Sequence, residues 1–327
     1  MERILVIGAN GQIGSELVEA LALKFGADNV VAADIAPASL AGARHYETLD
    51  VLDAARLAEV VARHGITQVY QLAALLSVTG EQAPLRAWTL NMNGLLNILE
   101  LARERNAAGT PLRVFWPSSI AAFGPNTPAL ETPQHTTMDP TTIYGISKLA
   151  GERLCEYYFN KYGVDTRSIR YPGIISFKSP PGGGTTDYAI AIFHAACRGE
   201  TYSCYLGPES TLPMIYMPDA IRATIELMSA PAEQIHVRSS YNVAGVSFNP
   251  RQLAEAIRKR KPEFRIDYRP DHRQAMSETT LRPFPRAHHP VTTALPAIEG
   301  RCRKPLPAGL CCPAPPGRNG RPPVRSP

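Results

Sequence analysis

The chain opens with a feature that leaves few folds available. Arg3–Ile7 (R-I-L-V-I) runs straight into G-A-N-G-Q-I-G, with glycines at Gly8, Gly11 and Gly14, and then into helix-forming sequence over Ser15–Ala22. A short apolar run rich in β-formers, ending in glycines, reads as strand, turn and helix. The glycines in such a turn serve a sharp reversal, a close backbone approach to phosphate and tight packing of helix on strand. Phosphates then lie at the positive N-terminus of the helix. The spacing is G-x-x-G-x-x-G rather than G-x-G-x-x-G.

A second apolar strand is expected over Asn29–Ala33, and Asp34 follows it, twenty residues past Gly14. An acid in that register hydrogen-bonds the adenosine ribose hydroxyls of a dinucleotide. The carboxylate would repel a 2'-phosphate, and the following I-A-P-A-S carries no arginine to offset it. The expected cofactor is NAD rather than NADP.

Tyr144 and Lys148 (Y-G-I-S-K) are four apart near the start of an expected helix reaching about Lys161, so they share a face. An ammonium beside the phenol would lower its pKa and fit Tyr144 for proton transfer. Arg113–Trp116 (R-V-F-W) reads as a buried strand that empties through Pro117 into Ser118 and Ser119. A hydroxyl at the carboxyl end of a parallel strand faces the ligand crevice. Ser119 is the expected donor to the substrate oxygen, with Ser118 as second choice.

With these motifs in order, the chain resembles the extended short-chain dehydrogenase/reductases over about residues 1–276. Further matches are D-V-L-D (Asp50–Asp53), L-A-A (Leu72–Ala74), N-x-x-G (Asn91–Gly94) and R-Y-P-G (Arg170–Gly173). The resemblance implies a Rossmann-type doubly wound parallel α/β sheet with a smaller substrate domain. It implies cofactor contacts at Gly8, Asn10, Gly11, Gln12, Ile13, Gly14, Asp34, Asp50 and Val51. Others fall at Leu72, Ala73, Ala74, Asn91, Tyr144, Lys148 and Tyr171.

Within that group the chain is similar to the short-chain type L-threonine 3-dehydrogenases, through F-W-P-S-S-I-A-A-F-G (Phe115–Gly124), R-Y-P-G-I-I-S (Arg170–Ser176) and P-P-G-G-G-T-T-D-Y-A (Pro180–Ala189). This likeness implies an enzyme that oxidises the 3-hydroxyl of threonine to 2-amino-3-oxobutyrate. Ser119, Tyr144 and Lys148 would be catalytic, and Ser77, Ser119, Tyr144, Gly184, Thr185 and Thr186 would contact the amino acid. Three glycines followed by two threonines suit a small zwitterion, because they expose backbone N–H groups and hydroxyls to its carboxylate. Alternative readings are a nucleotide-sugar epimerase or dehydratase, and an NAD-binding protein impaired by its unusual C-terminus. Helices after the fourth and fifth strands commonly pair subunits in this superfamily, so a homodimer is expected.

Of the 327 residues, 44% are hydrophobic and 19% charged, and no apolar run is long enough to span a bilayer. Met1 leads directly into the first strand without a leader pattern, and six scattered cysteines make no disulfide framework, so a cytoplasmic location is expected. No metal, nucleic-acid or membrane partner is expected.

Residues 1–173 read as the dinucleotide domain and 174–276 mostly as the substrate domain, with 241–244 returning to the main sheet. Residues 277–327 differ: they hold 12 of the 30 prolines, and eight Lys or Arg against two acids. The net charge of +5 therefore belongs to this stretch and not to the fold. It has no helical or strand period, and its composition predicts disorder. Where the family continues with a tryptophan-containing segment and a closing helix, this chain reads S-E-T-T-L-R-P-F-P-R, as an out-of-frame GC-rich reading would.

Overall fold

The computed structural model describes residues 2–37, 44–128, 132–176, 178, 182–243 and 245–280. Pro180, Ala244 and the 281–327 part of the Pro-rich stretch lie outside the described residues.

Strand β1 (Ile4–Ile7) passes through the glycine turn into α1 (Gln12–Phe25), followed by β2 (Val30–Asp34), β3 (His45–Thr48), α2 (Ala54–Arg63) and β4 (Gln68–Gln71). Helices α3 (Ser77–Gln82), α4 (Pro84–Trp88) and α5 (Gly94–Ala107) precede β5 (Arg113–Phe115), β6 (Ser118–Ser119) and α6 (Ile143–Tyr162). The chain continues as β7 (Thr166–Arg167), β8 (Ile169–Tyr171), β9 (Gly173–Ile175), α7 (Tyr188–Arg198), β10 (Tyr202–Cys204), β11 (Leu212–Tyr216) and α8 (Met217–Ser229). Last come β12 (Tyr241–Asn242), β13 (Val246–Phe248), α9 (Pro250–Arg258), β14 (Ile266–Tyr268) and α10 (His272–Thr280).

Six strands form a parallel sheet in the order β3-β2-β1-β4-β5-β7. A second parallel ladder, β6-β8-β12, sets Ser118 opposite Arg170 and Tyr241 opposite Ile169. Alternate residues of β1 face opposite layers. Ile4 and Val6 join Leu17 and Leu21 of α1 and Ile221 of α8, while Leu5 and Ile7 join Leu57 of α2, Ile98 of α5 and Cys155 of α6. Burial on both faces explains why these strands are apolar throughout. Strand order reverses between β1 and β4, and the crevice beyond the carboxyl ends of the strands opens there.

The elements after β9 have a core of their own, in which Tyr188 and Ile192 of α7 pack with Met214 of β11 and with Leu253 and Ile257 of α9. Helix α10 corrects the expectation that regular structure stops at Met276. It runs to Thr280 with Ser277 buried. Tertiary anchoring accounts for the difference, since the Gln274 carboxamide oxygen accepts from the Gly207 N–H at 2.8 Å and the Ser210 hydroxyl at 2.9 Å. No helix among the described residues is long and apolar enough to cross a membrane.

Candidate active site

The glycine turn is built by exclusion. Gly8 has φ +82°, and a Cβ there would lie 2.7 Å from the Ala73 backbone nitrogen. At Gly14 a Cβ would fall 2.2 Å from the Gly8 carbonyl oxygen, so α1 can cross the turn only as glycine. Gly11 is different: its Cβ would meet only the Gly8 oxygen, at 3.3 Å, and it caps α1 with no side-chain hydrogen bond. The turn stands at the positive N-terminus of α1, where a pyrophosphate fits. The Asp34 carboxylate accepts from the Asn10 N–H at 3.0 Å and the Ala36 N–H at 3.1 Å, which holds it beside the turn.

A cavity of about 170 Å³ adjoins this turn. It brings together Gln12, Ile13, Leu72, Ala74, Ser77, Ser119, Tyr144, Lys148, Tyr171, Gly184, Thr185 and Thr186. The remaining expected cofactor residues are not in its wall. The Asp50 carboxylate accepts from the Leu52 N–H at 2.9 Å, and Val51 is buried against Gly94, where a Cβ would lie 2.8 Å from the valine. The Asn91 carboxamide is committed to the Leu75 backbone, accepting from its N–H at 2.9 Å and donating to its carbonyl at 3.1 Å. Asn91 thus shapes the loop carrying Ser77. The Tyr171 hydroxyl bonds Thr224, so Tyr171 presents its other atoms to the cavity.

Tyr144, Lys148 and Glu152 follow one another at four-residue intervals on α6, whose first turn is capped by Thr142 accepting from the Gly145 N–H at 3.0 Å. The Ser119 side chain acts on the Tyr144 phenol, favouring its ionisation, and its Oγ accepts from the Ala121 N–H at 3.1 Å. Ser118 instead donates to Glu152 at 2.6 Å, and Glu152 is paired with Arg170 at 2.7 Å in a fully buried ion pair. The choice between the two serines is made by this network. Both serines line the cavity, but the Ser118 hydroxyl is committed to the buried Glu152.

Lys148 donates to the Pro117 carbonyl at 2.5 Å and lies 4.4 Å from the Trp116 ring centroid and 5.4 Å from that of Tyr144. Burial pulls its pKa down to about 7. Burial pushes Tyr144 up to about 12, against the lowering effect of the Ser119 hydrogen bond. The expected depression of the phenol by a neighbouring ammonium is therefore corrected for the free protein: the amine is desolvated and turned toward a carbonyl.

Across the cavity, the Ser77 and Thr185 hydroxyls are 3.1 Å apart, although 108 residues separate them in sequence. The glycine segment is also corrected. Its N–H groups are not free for a ligand carboxylate, because Gly183 and Gly184 donate to the Asp187 carboxylate at 2.7 and 2.8 Å. Burial raises the Asp187 pKa, opposed by the amides of Gly184, Gly183 and Gly182 and by the charge of Arg273. Asp187 and Met276 both line the cavity and were not expected to. No local signal marks Met276, whereas the Lys148–Glu152 spacing could have pointed to the buried network.

The NAD dependent epimerase/dehydratase family matches residues 4–244. An uncharacterized epimerase/dehydratase of Staphylococcus saprophyticus is 46% identical over 283 residues, 85% of this chain and 87% of that protein. Among solved structures, a GalE-like L-threonine dehydrogenase from Cupriavidus necator in its holo form is 59% identical with a TM-score of 0.83, covering 86% of this chain and 90% of that one. A monomeric L-threonine 3-dehydrogenase from a metagenome, in its apo form, is 42% identical with a TM-score of 0.82, covering 86% and 89%. Because that relative is monomeric, dimerisation does not follow from likeness to these structures. The chain belongs to the NAD-dependent epimerase/dehydratase family, and these solved structures similar to it are L-threonine dehydrogenases.

Proposed function

We propose that the protein oxidises the 3-hydroxyl of L-threonine with NAD to give 2-amino-3-oxobutyrate. The observation that carries this reading is the cavity itself. At about 170 Å³ it suits an amino acid, with Ser119 and Tyr144 on one side and the Ser77–Thr185 hydroxyl pair on the other. Likeness to solved L-threonine dehydrogenases supports the same reading.

Bound NAD supplies the hydride acceptor for C3. Tyr144 takes the hydroxyl proton at its phenolic oxygen, and Ser119 holds the substrate oxygen beside it. Lys148 lies close enough to the phenol that a shift away from the Pro117 carbonyl would let its charge favour the phenolate. Asp34 beside the turn supports NAD over NADP through repulsion of a 2'-phosphate.

The test is NADH formation by the full chain with L-threonine and NAD, beside the same reaction with NADP. The expected outcome is turnover with L-threonine and a preference for NAD. No turnover of L-threonine, together with a spectral or thermal response to a nucleotide sugar, would replace the reading with an epimerase or dehydratase activity.

A further inference from the structure

Trp116 follows β5 and is almost fully buried, with its indole set against α6 where Gly151 makes room for it. A Cβ on Gly151 would fall 2.3 Å from the ring. Glycine inside a helix is destabilising relative to alanine, so the middle of α6 gives up stability to bring the ring in. The same ring faces the Lys148 nitrogen, which lies 4.4 Å from its centroid. The other charged or titratable groups facing Lys148 are Tyr144, Glu152 and Cys155, all on α6. Glu152 is committed to Arg170 of β8 at 2.8 and 2.7 Å and to the Ser118 hydroxyl at 2.6 Å. Cys155 is a buried free thiol that burial keeps protonated. Two neighbours from one stretch therefore hold the amine. The Pro117 carbonyl, at 2.5 Å, takes one of its N–H donors, and the Trp116 face takes none.

We propose that Trp116 is a positioning residue whose indole face seats the Lys148 ammonium beside Tyr144. The inference rests on the reading of Tyr144 as the proton acceptor and adds what stabilises a charge in this buried place. The face of an indole attracts a cation without using its donors. Lys148 can thus leave the Pro117 carbonyl and turn an N–H toward the phenol while its charge stays over the ring. A carboxylate in the same place would claim those donors through short, charge-assisted hydrogen bonds.

The experiment has two arms, both on the full chain. The first follows tryptophan emission against pH in Trp88→Phe, which leaves Trp116 as the single tryptophan of the two in the sequence. An ammonium over the ring perturbs the indole where a neutral amine does not. A transition near pH 7 is expected, where burial places Lys148, and it should vanish when Lys148→Met is added. Flat emission, or a transition that survives Lys148→Met, overturns the seat. This arm keeps Trp116 intact, so it decides the matter even where a substitution of the ring disturbs the fold. The second arm measures kcat/KM for L-threonine. Trp116→Leu is expected to lose about tenfold, and Trp116→Phe, which restores a weaker ring face, to recover part of that loss. Equal loss in both variants means that packing alone is at stake and overturns the positioning role. A pH transition of Trp116 without any turnover of L-threonine by the wild type overturns the threonine reading and leaves the seat standing.

Discussion

The dinucleotide turn and the substrate wall adjoin one another but are assembled in different ways. The turn is a single stretch, Gly8 to Gly14, whose shape is set by backbone meeting backbone: a Cβ at Gly14 would fall 2.2 Å from the Gly8 oxygen. The wall draws on Ser77, Ser119, Thr185 and Met276, which come from four distant parts of the chain. In the turn a residue's job is evident from its immediate neighbours. In the wall it depends on which partner the fold delivers, as when the Ser118 hydroxyl goes to Glu152 while Ser119 is left to act on the Tyr144 phenol.

If this division holds, damage to one part should leave the other's readout intact. Tyr144→Phe should have the largest effect, lowering NADH formation about 10³-fold while NAD affinity, measured by titration, stays near wild type. Equal loss of NAD binding would show that the phenol belongs to the turn's function as well. The pH profile comes next. With Tyr144 raised to about 12 by burial, the phenolate fraction grows as pH rises. If the phenol titrates alone, the kcat/KM for L-threonine should climb by up to about tenfold per unit between pH 7 and 9, whereas a flat profile would mean that the charge of Lys148, itself near 7, is lost over the same range as the phenolate forms.

Gly14→Ala should break the turn, costing about 3 kcal/mol of stability through overpacking along with NAD affinity, as read by thermal unfolding with and without the cofactor. The smallest effect is expected from Ser77→Ala, which removes one partner of the Ser77–Thr185 bond. It should raise the KM for L-threonine about tenfold, corresponding to one hydrogen bond, with NAD affinity unchanged. A shift in NAD affinity as large as that in KM would erase the distinction between the two parts.

The legible portion follows the same division. β1, the glycine turn, β2 ending at Asp34, and the α6 helix carrying Tyr144 and Lys148 were all readable because each depends on period, caps or turn residues close in sequence. The roles of Asn91 and Asp187 were not. The carboxamide of Asn91 closes on Leu75, sixteen residues away, and the Asp187 carboxylate turns back onto Gly183 and Gly184 when its position at an N-cap pointed forward into α7. The electrostatics of Tyr144 and Lys148 lie beyond the sequence as well, because a four-residue spacing fixes proximity but says nothing of desolvation or of the Pro117 carbonyl that draws the amine away.

The sequence by itself thus determined a parallel α/β sheet, a phosphate-binding turn, and a tyrosine and lysine on one helical face, since short-range sterics and periodicity suffice for each. Only the tertiary structure decided which serine meets the phenol, that the glycine loop holds its own aspartate, and that α10 runs past Met276 to complete the wall. Those outcomes depend on burial and on hydrogen-bond partners brought together from afar, and a buried polar group takes whichever partner the packed chain supplies.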